Sequence, residues 1–444
     1  MEKVNKMESM PMKRLVISMS LPIMISMVIQ ALYNIVDSIF VSMISANALT
    51  AVSLAYPVQT LMVAFACGSA VGFNTLLARF LGEKKFKEAN NTVMHGILLA
   101  LFNGVLFALM GFFFSDVFLR CYTNNSEILT MGNTYIRICT FFSFTVFVQI
   151  MYERIMQATG NAIYNMVMQS IGAIANIILD PIFIFGCFGL PAMGVKGAAI
   201  ATVCGQMLGM LSGYLLAKYK VSDVEVKVSY FHLDFSILKR IFQVGIPAIC
   251  MQSVLSFMTV FMNMILNPFS SVAVSVFSIY YKLQNFMNMA ILGITNALIP
   301  ILSYNYGAKC INRIKEAVRF SLLLAIVIMF FGMLLFECCP YFLMHLFHAN
   351  SEMIHYGIPA LRIISLSFIF AGITMILSSC FQALNHAQIS LWITLARQLI
   401  LLLPITYGLA HLFGLNVAWF SFLITEVLCS VLSLKVWLHI KKLL

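Results

Sequence analysis

Charge is what this 444-residue chain has least of: Asp, Glu, Lys and Arg together make up 10%, against 61% apolar residues. A soluble protein of this length would bury a large core but would still need a charged surface, and too few charges are present to cover one. Alternation of polar and apolar residues is missing as well, which excludes a closed membrane barrel, since the apolar runs are continuous. No CxxC or metal-ligand spacing links the eleven cysteines, most of which lie inside apolar runs as small core residues. HExxH, GxSxG and paired-aspartate GxGD motifs are all absent, so nothing points to an intramembrane enzyme. An extended basic face is lacking too. The formal charge of +11 sits in short loops between apolar runs, and no nucleic-acid partner is expected.

What is abundant is the membrane-spanning segment. About 20 mostly apolar residues cross a bilayer as a helix, and helices let each segment satisfy its own backbone in lipid. Such segments lie at 15–41, 52–78, 92–115, 131–153, 162–186, 194–217, 240–266, 273–302, 317–338, 355–379, 389–411 and 415–438. The expected fold is therefore an all-α polytopic membrane protein with twelve transmembrane helices. Residues 1–14 are polar and basic, but the apolar segment after them is too long for a signal-peptide core. No small-residue cleavage site stands out, so the first span is expected to be retained. The longest non-apolar stretch lies midway, at 218–240. It divides the chain into an N-terminal six-helix lobe (1–217), a cytoplasmic linker (218–239) and a C-terminal six-helix lobe (240–444).

With the N-terminus inside, the inner segments hold Lys3, Lys6, Lys13 and Arg14, then Arg79, Lys84, Lys85 and Lys87. Lys218, Lys220, Lys227, Lys239 and Arg240 follow in the linker, then Lys309, Arg313, Lys315 and Arg319, and finally Lys441 and Lys442. The outer loops hold little beyond Arg120 and Lys196. This asymmetry predicts that both termini are cytoplasmic, in a multi-pass protein of the plasma (inner) membrane.

The halves repeat at a constant shift of 225 residues. Pro22 pairs with Pro247, Tyr56 with Tyr281, Gln59 with Gln284, Gly82 with Gly307, Arg137 with Arg362 and Gln157 with Gln382. The stretch NSEILTMGNTYIRI (125–138) shares six of fourteen residues with NSEMIHYGIPALRI (350–363). Six helices per half is an even number, so the two bundles are expected to be parallel repeats about an axis along the membrane normal. Two such bundles rocking about a cleft give alternating access, although a channel or receptor can be duplicated too.

Ionisable groups inside a membrane are costly and mark function. Asp37 falls in the first span (ALYNIVDSIF) and Asp180 in the fifth (ANIILDPIFIF), both in the outer half. Asn34 and Asn176 precede them by three and four residues, on the same helical faces. Gln30, Tyr33 and Gln169 extend the polar stripe. Two facing carboxylates repel in a low-dielectric site, so the pair suits carrying a proton or holding a Na+ ion with amide oxygens. Near the outer surface, each acid could equally be solvated or structural. Pro22 and Pro181 permit a kink or hinge. The repeat equivalents of the acids are Met262 and Ile405, so the scaffold is duplicated and the acid pair is not. The seventh and eighth spans offer Gln252, Asn263, Gln284, Asn285 and Asn288, with Lys282 the only charge away from their ends. Glu153 and Arg154 end the fourth span on the inner side, as an interfacial salt bridge would. Thirty methionines and 38 phenylalanines suit a pocket for varied apolar cations, though most of them face lipid or pack helices.

Nearly the whole chain resembles the MATE (multidrug and toxic compound extrusion) family. The carrying stretches are LYNIVDSIFVSMISANALTAVSLAYP (32–57), ERIMQATGNA (153–162), NIILDPIFIFG (176–186) and GVKGAAIATVCGQ (194–206). The branch most similar is the DNA-damage-inducible type with related Gram-positive exporters. The resemblance implies two six-helix bundles in a V, exporting organic cations against an inward H+ or Na+ gradient. It also implies an N-lobe network of Gln30, Tyr33, Asn34, Asp37, Tyr135, Asn176 and Asp180. Ala198 departs from the pattern where a hydroxyl is expected, and Thr202, one turn on, is placed to compensate. The spans at 241–266 and 355–379 carry no acid, which argues against a C-lobe cation site.

The expected function is thus a multidrug antiporter for cationic amphiphilic small molecules. Coupling is placed at Asp37, Asp180, Asn34 and Asn176, with Na+ as a candidate ion at Asp37, Asp180 and Asn176. The substrate cavity is placed at Gln30, Tyr33, Tyr135, Thr202, Gln284 and Met262. No cofactor beyond the coupling ion and no partner beyond the bilayer are expected, and a monomer is. A flippase for a lipid-linked precursor, or a receptor or scaffold without transport, are the alternatives.

Overall fold

Hydrocarbon leaves every backbone N–H and C=O to be satisfied within its own segment, and the chain responds with long helices. The computed structural model describes residues 5–347 and 349–444, the side chain of Val228 excepted. Lys3, counted above in the N-terminal tail, lies outside them. No strand occurs among the described residues, so the expected all-α fold holds. Ten of the described helices are long and apolar enough to cross a membrane, and two bent pairs bring the spans to as many as twelve.

The first half comprises α1 (Met12–Ser42), α2 (Ala46–Gly82), α3 (Phe86–Arg120), the bent α4 (Ser126–Phe141 and Phe144–Ala158), α5 (Ala162–Phe185) and α6 (Val195–Lys220). The second half comprises α7 (Phe235–Leu266), α8 (Ser271–Gly307), α9 (Ile311–Cys338), the bent α10 (Ser351–Ser365 and Phe368–Ala383), α11 (Ala387–Phe413) and α12 (Leu415–Leu443). The spans expected at 131–153 and 355–379 are therefore each broken, by 45° and 48°. Neither break has a proline. At the first, the Ser143 hydroxyl instead donates to the Gly104 carbonyl of α3, at 3.0 Å.

The repeat reaches down to backbone detail. Ala46, Phe86, Ser126 and Ala162 each open a helix, and so do Ser271, Ile311, Ser351 and Ala387, 225 positions on. Ser45 and Ser270 cap α2 and α8, while Asn125 and Asn350 cap α4 and α10, each through its side-chain oxygen. The left-handed residues recur in register too: Lys84 with Lys309 (φ 58° and 57°) and Gly160 with Asn385 (φ 76° and 68°). α2 packs on α3 and on both parts of α4; α8 does the same with α9 and α10.

Packing divides the chain into two units. One holds Met1–Ser9 with Leu21–Ile249, the other Met10–Ser20 with Cys250–Leu444. Where the sequence assigns α1 and α7 whole to one lobe each, the start of α1 packs with the second unit and the first part of α7 with the first. Both changeovers fall beside an intrahelical proline, Pro22 and Pro247, where a helix donor is missing. In the first unit α7 lies so close to α2 that a Cβ on Gly72 would sit 2.0 Å from the Ile241 carbonyl oxygen. The linker is strapped to α3: Asn90 accepts from Glu225 N (2.9 Å), Asn91 from His232 N (3.1 Å) and His95 Nε2 from Asp234 N (3.0 Å).

α5 and α6 form the most extensive helix pair, and glycine makes their approach possible. A Cβ on Gly205 would stand 2.8 Å from the Gly172 carbonyl oxygen and 3.0 Å from Asn176 Cβ. Gly205→Val should therefore push the helices apart and lower the melting temperature of the purified protein, by about 1–3 kcal/mol of stability as for other overpacked sites. Gly408→Ala, with nothing within 4 Å of its Cβ, should leave the melting temperature unchanged or raise it.

Candidate functional site

The residues that could do chemistry in the first unit lie where α1, α4, α5 and α6 face one another. Asp180 sits near the end of α5, which continues through Pro181 and stops at left-handed Gly186 (φ 78°). Its carboxylate is fully buried, and Asn176, one turn earlier, is 3% exposed. In the amide orientation that satisfies both of its atoms, Asn176 Nδ2 donates to Asp180 Oδ2 at 3.1 Å, and its oxygen accepts from the Thr202 backbone N–H at 3.2 Å. One amide thus ties the α5 carboxylate to the backbone of α6.

Asp37 belongs to α1 and is partly buried; its Oδ1 is buried and has no hydrogen-bond partner. The Asp37 and Asp180 carboxylates are close enough to interact electrostatically, and Tyr33 is within that reach of both. Tyr135, buried in α4, accepts from Gln59 Nε2 at 3.2 Å and lies within hydrogen-bonding reach of the Thr202 side chain. Ala198 is fully buried beside Tyr135 in an apolar cluster with Val41, Ala55, Ile136 and Ile184. Two carboxylates, one of them short of a donor, concentrate negative charge at this place in the first unit. Among the described residues no three His, Cys, Asp or Glu side chains converge as a transition-metal site would require.

The structure brings together Tyr33, Asp37, Tyr135, Asn176, Asp180 and Thr202. Gln30 and Asn34 lie on exposed positions of α1. Gln284 and Met262 belong to the second unit, where Gln284 is partly exposed and Met262 is completely buried. Lys282 is exposed and stands 5.9 Å from the centre of the Phe347 ring.

Three groups here were not singled out from the sequence for these roles. Gln59, noted there only as a repeat landmark, is the donor to Tyr135. Glu153 accepts from Gln157 (3.0 Å), Gln169 (3.1 Å) and Asn165 (3.5 Å), while Arg154 donates to Gln157 (2.7 Å), so amides knit this end of the first unit together. In the second unit Arg397 and Glu426 form a nearly buried ion pair between α11 and α12. Arg397 lies in a widened turn, residues 396–400, closed by a bond from Leu401 N to the Ala396 carbonyl at 2.9 Å. Both residues are charges in mid-span, a signal the sequence does carry.

A duplicated all-helical membrane fold with a pair of intramembrane aspartates in the first unit points to the class of membrane transporters built from six-helix repeats. The MatE family model matches residues 22–182 and 247–407, two copies whose starts and ends are each 225 residues apart. The chain belongs to the MatE family, as its sequence stretches indicate. Among its relatives, the multidrug export protein MepA of Staphylococcus haemolyticus is 24% identical over 418 residues, covering 94% of this chain and 91% of that protein. MepA of Staphylococcus aureus is 24% identical over 435 residues, covering 98% and 95%. A MOP superfamily transporter of Pyrococcus furiosus, described as having a binding pocket of reverse polarity, superposes with a TM-score of 0.88 at 25% identity, over 96% of this chain and 95% of that one. A multidrug resistance MATE transporter solved in an outward-facing conformation shares the fold with a TM-score of 0.91 at 24% identity, over 100% and 99%.

Removing the Asn176 amide strands a buried carboxylate. Asn176→Ala should cost about 1–3 kcal/mol of stability, read as a fall in melting temperature, whereas Asn34→Ala on its exposed position should cost little. Equal losses in the two variants would contradict the placement.

Proposed function

We propose that this protein exports organic cations in exchange for an inward-moving H+ or Na+, by alternating access between its two repeats. The observation that carries the reading is the carboxylate pair of the first unit: Asp180 fully buried with one amide donor, and Asp37 beside it with a partnerless buried oxygen. A buried anion without enough donors binds a cation or a proton rather than remain uncompensated. Cationic drug and coupling ion then compete for the same negative charge. Loss of the ion on the inner side frees the acids for drug, and return of the ion from outside expels it.

That the MepA relatives are multidrug export proteins supports a broad substrate range, and the acids favour cationic amphiphiles. A flippase for phosphate-bearing lipid precursors would need Arg or Lys in the place where this site holds Asp37 and Asp180. The Lys and Arg distribution supports cytoplasmic termini, and the protein acts in the plasma membrane as a monomer. Asn34 completes the coupling group on α1, and Gln30 extends the substrate surface beyond Tyr33, Tyr135 and Thr202.

In proteoliposomes driven by a pH gradient alone or a Na+ gradient alone, one gradient should power efflux of a fluorescent cation. Asp37→Asn, correctly folded, should reduce that flux to the level of empty vesicles. Unimpaired flux in Asp37→Asn contradicts the proposal.

A further inference from the structure

A groove of about 940 Å³ opens in the second unit between the start of α1, the start of α9 and the end of α12. Three helix ends thus meet at one membrane face, and each brings positive charge: Lys13 from α1, Lys315 and Arg319 from α9, Lys441 from α12. None of the four forms an ion pair among the described residues. The one acid in the lining is Glu316, which is exposed. Four cations around one cavity repel each other, and an anion seated between them lessens that repulsion.

The walls say which anion. Lys315, Arg319, Leu322, Leu323 and Ile326 recur at spacings of three and four, so they form one stripe down α9. Over roughly 16 Å of helix that stripe passes from charged to wholly apolar. Leu434 and the nearly buried Trp437 continue the apolar wall on α12, and tryptophan favours the depth of the headgroups. A free phosphate has no use for such a wall, and the cationic substrates proposed for the first unit would be repelled.

We propose that this groove binds an anionic phospholipid, its phosphate held by Lys13, Lys315, Arg319 and Lys441 and an acyl chain lying against Leu323, Ile326 and Leu434. Arg319 supplies a planar fork for two phosphate oxygens, and the lysines supply point charges. Basic pockets between membrane helices select lipids in this way. The site stands apart from Asp37 and Asp180, and it does not depend on the transport reading.

The test is native mass spectrometry of the full-length protein in detergent, titrated with phosphatidylglycerol, with phosphatidylcholine of the same acyl chains, and with inorganic phosphate. Phosphatidylglycerol should be retained in preference to phosphatidylcholine. The double variant Lys315→Gln, Arg319→Gln should weaken its binding by roughly tenfold or more, and Lys441→Gln alone by about fivefold, as one juxtamembrane charge predicts. Lys84→Gln with Lys85→Gln, in the first unit, should change nothing. Equal retention of the two lipids, or unchanged binding by the double variant, overturns the proposal. Displacement of the lipid by inorganic phosphate at matching concentration overturns it as well, since the site would then be one for the free ion.

Discussion

A carboxylate inside a helical membrane bundle is tolerated only if something offsets its charge, and the first unit offers Asp180 a single amide. That shortage constrains the whole arrangement. The Asn176 side chain bridges the carboxylate to α6, and it reaches Thr202 because Gly172 and Gly205 let α5 and α6 approach to backbone contact. Tyr33 and Asp37 bring α1 into the same polar region. The polar site therefore rests on close helix packing, and the packing rests on residues without side chains. Neighbouring charge left uncompensated in such a place is what an exchanged cation can use.

The second half shows what the same scaffold does without that chemistry. In the 225-residue register, Arg397 and Glu426 occupy the places of Gly172 and Ala201. Small residues that draw α5 onto α6 are replaced by a buried ion pair between α11 and α12, next to a widened turn that makes room for Arg397. A charged pair of this kind adds little net stability over an apolar pair but costs a great deal when one partner is lost. Several caps, helix starts and left-handed turns are copied between halves, whereas Asn176 and Asp180 meet Leu401 and Ile405 in the repeat register. Duplication has kept the frame and let each half carry its own charges.

Much of this was legible in the sequence because charge is so rare. Asp37 and Asp180 stand out in apolar spans, and the i, i+4 spacing puts Asn176 beside Asp180. The repeat is readable from Pro22 with Pro247 and Gly82 with Gly307. Helix ends were not legible, since hydropathy marks only the apolar part, and α2 runs on as far as capping by Ser45 and the turn at Lys84 allow. The breaks in α4 and α10 have no proline to announce them. Contacts such as Gln59 with Tyr135 join residues 76 apart in sequence, and no local period encodes them. The spacing of Asn34 to Asp37 suggests one shared face, yet Asn34 is exposed where Asp37 is partly buried. Arg397 and Glu426 carry the same rarity as the two aspartates, but they meet across two helices, 29 positions apart in sequence, and no local period encodes that pairing.

The central claim is that one acid pair, present in one half alone, exchanges a small cation for substrate. It is tested most directly by counting ions released when a lipophilic cation such as tetraphenylphosphonium binds the purified protein, using a pH indicator for H+ and tracer for Na+. The account predicts that binding by the unaltered protein releases one of these ions and that Asp180→Asn releases none. Equal release by Asp180→Asn, or substrate binding with no release of either ion, would contradict it.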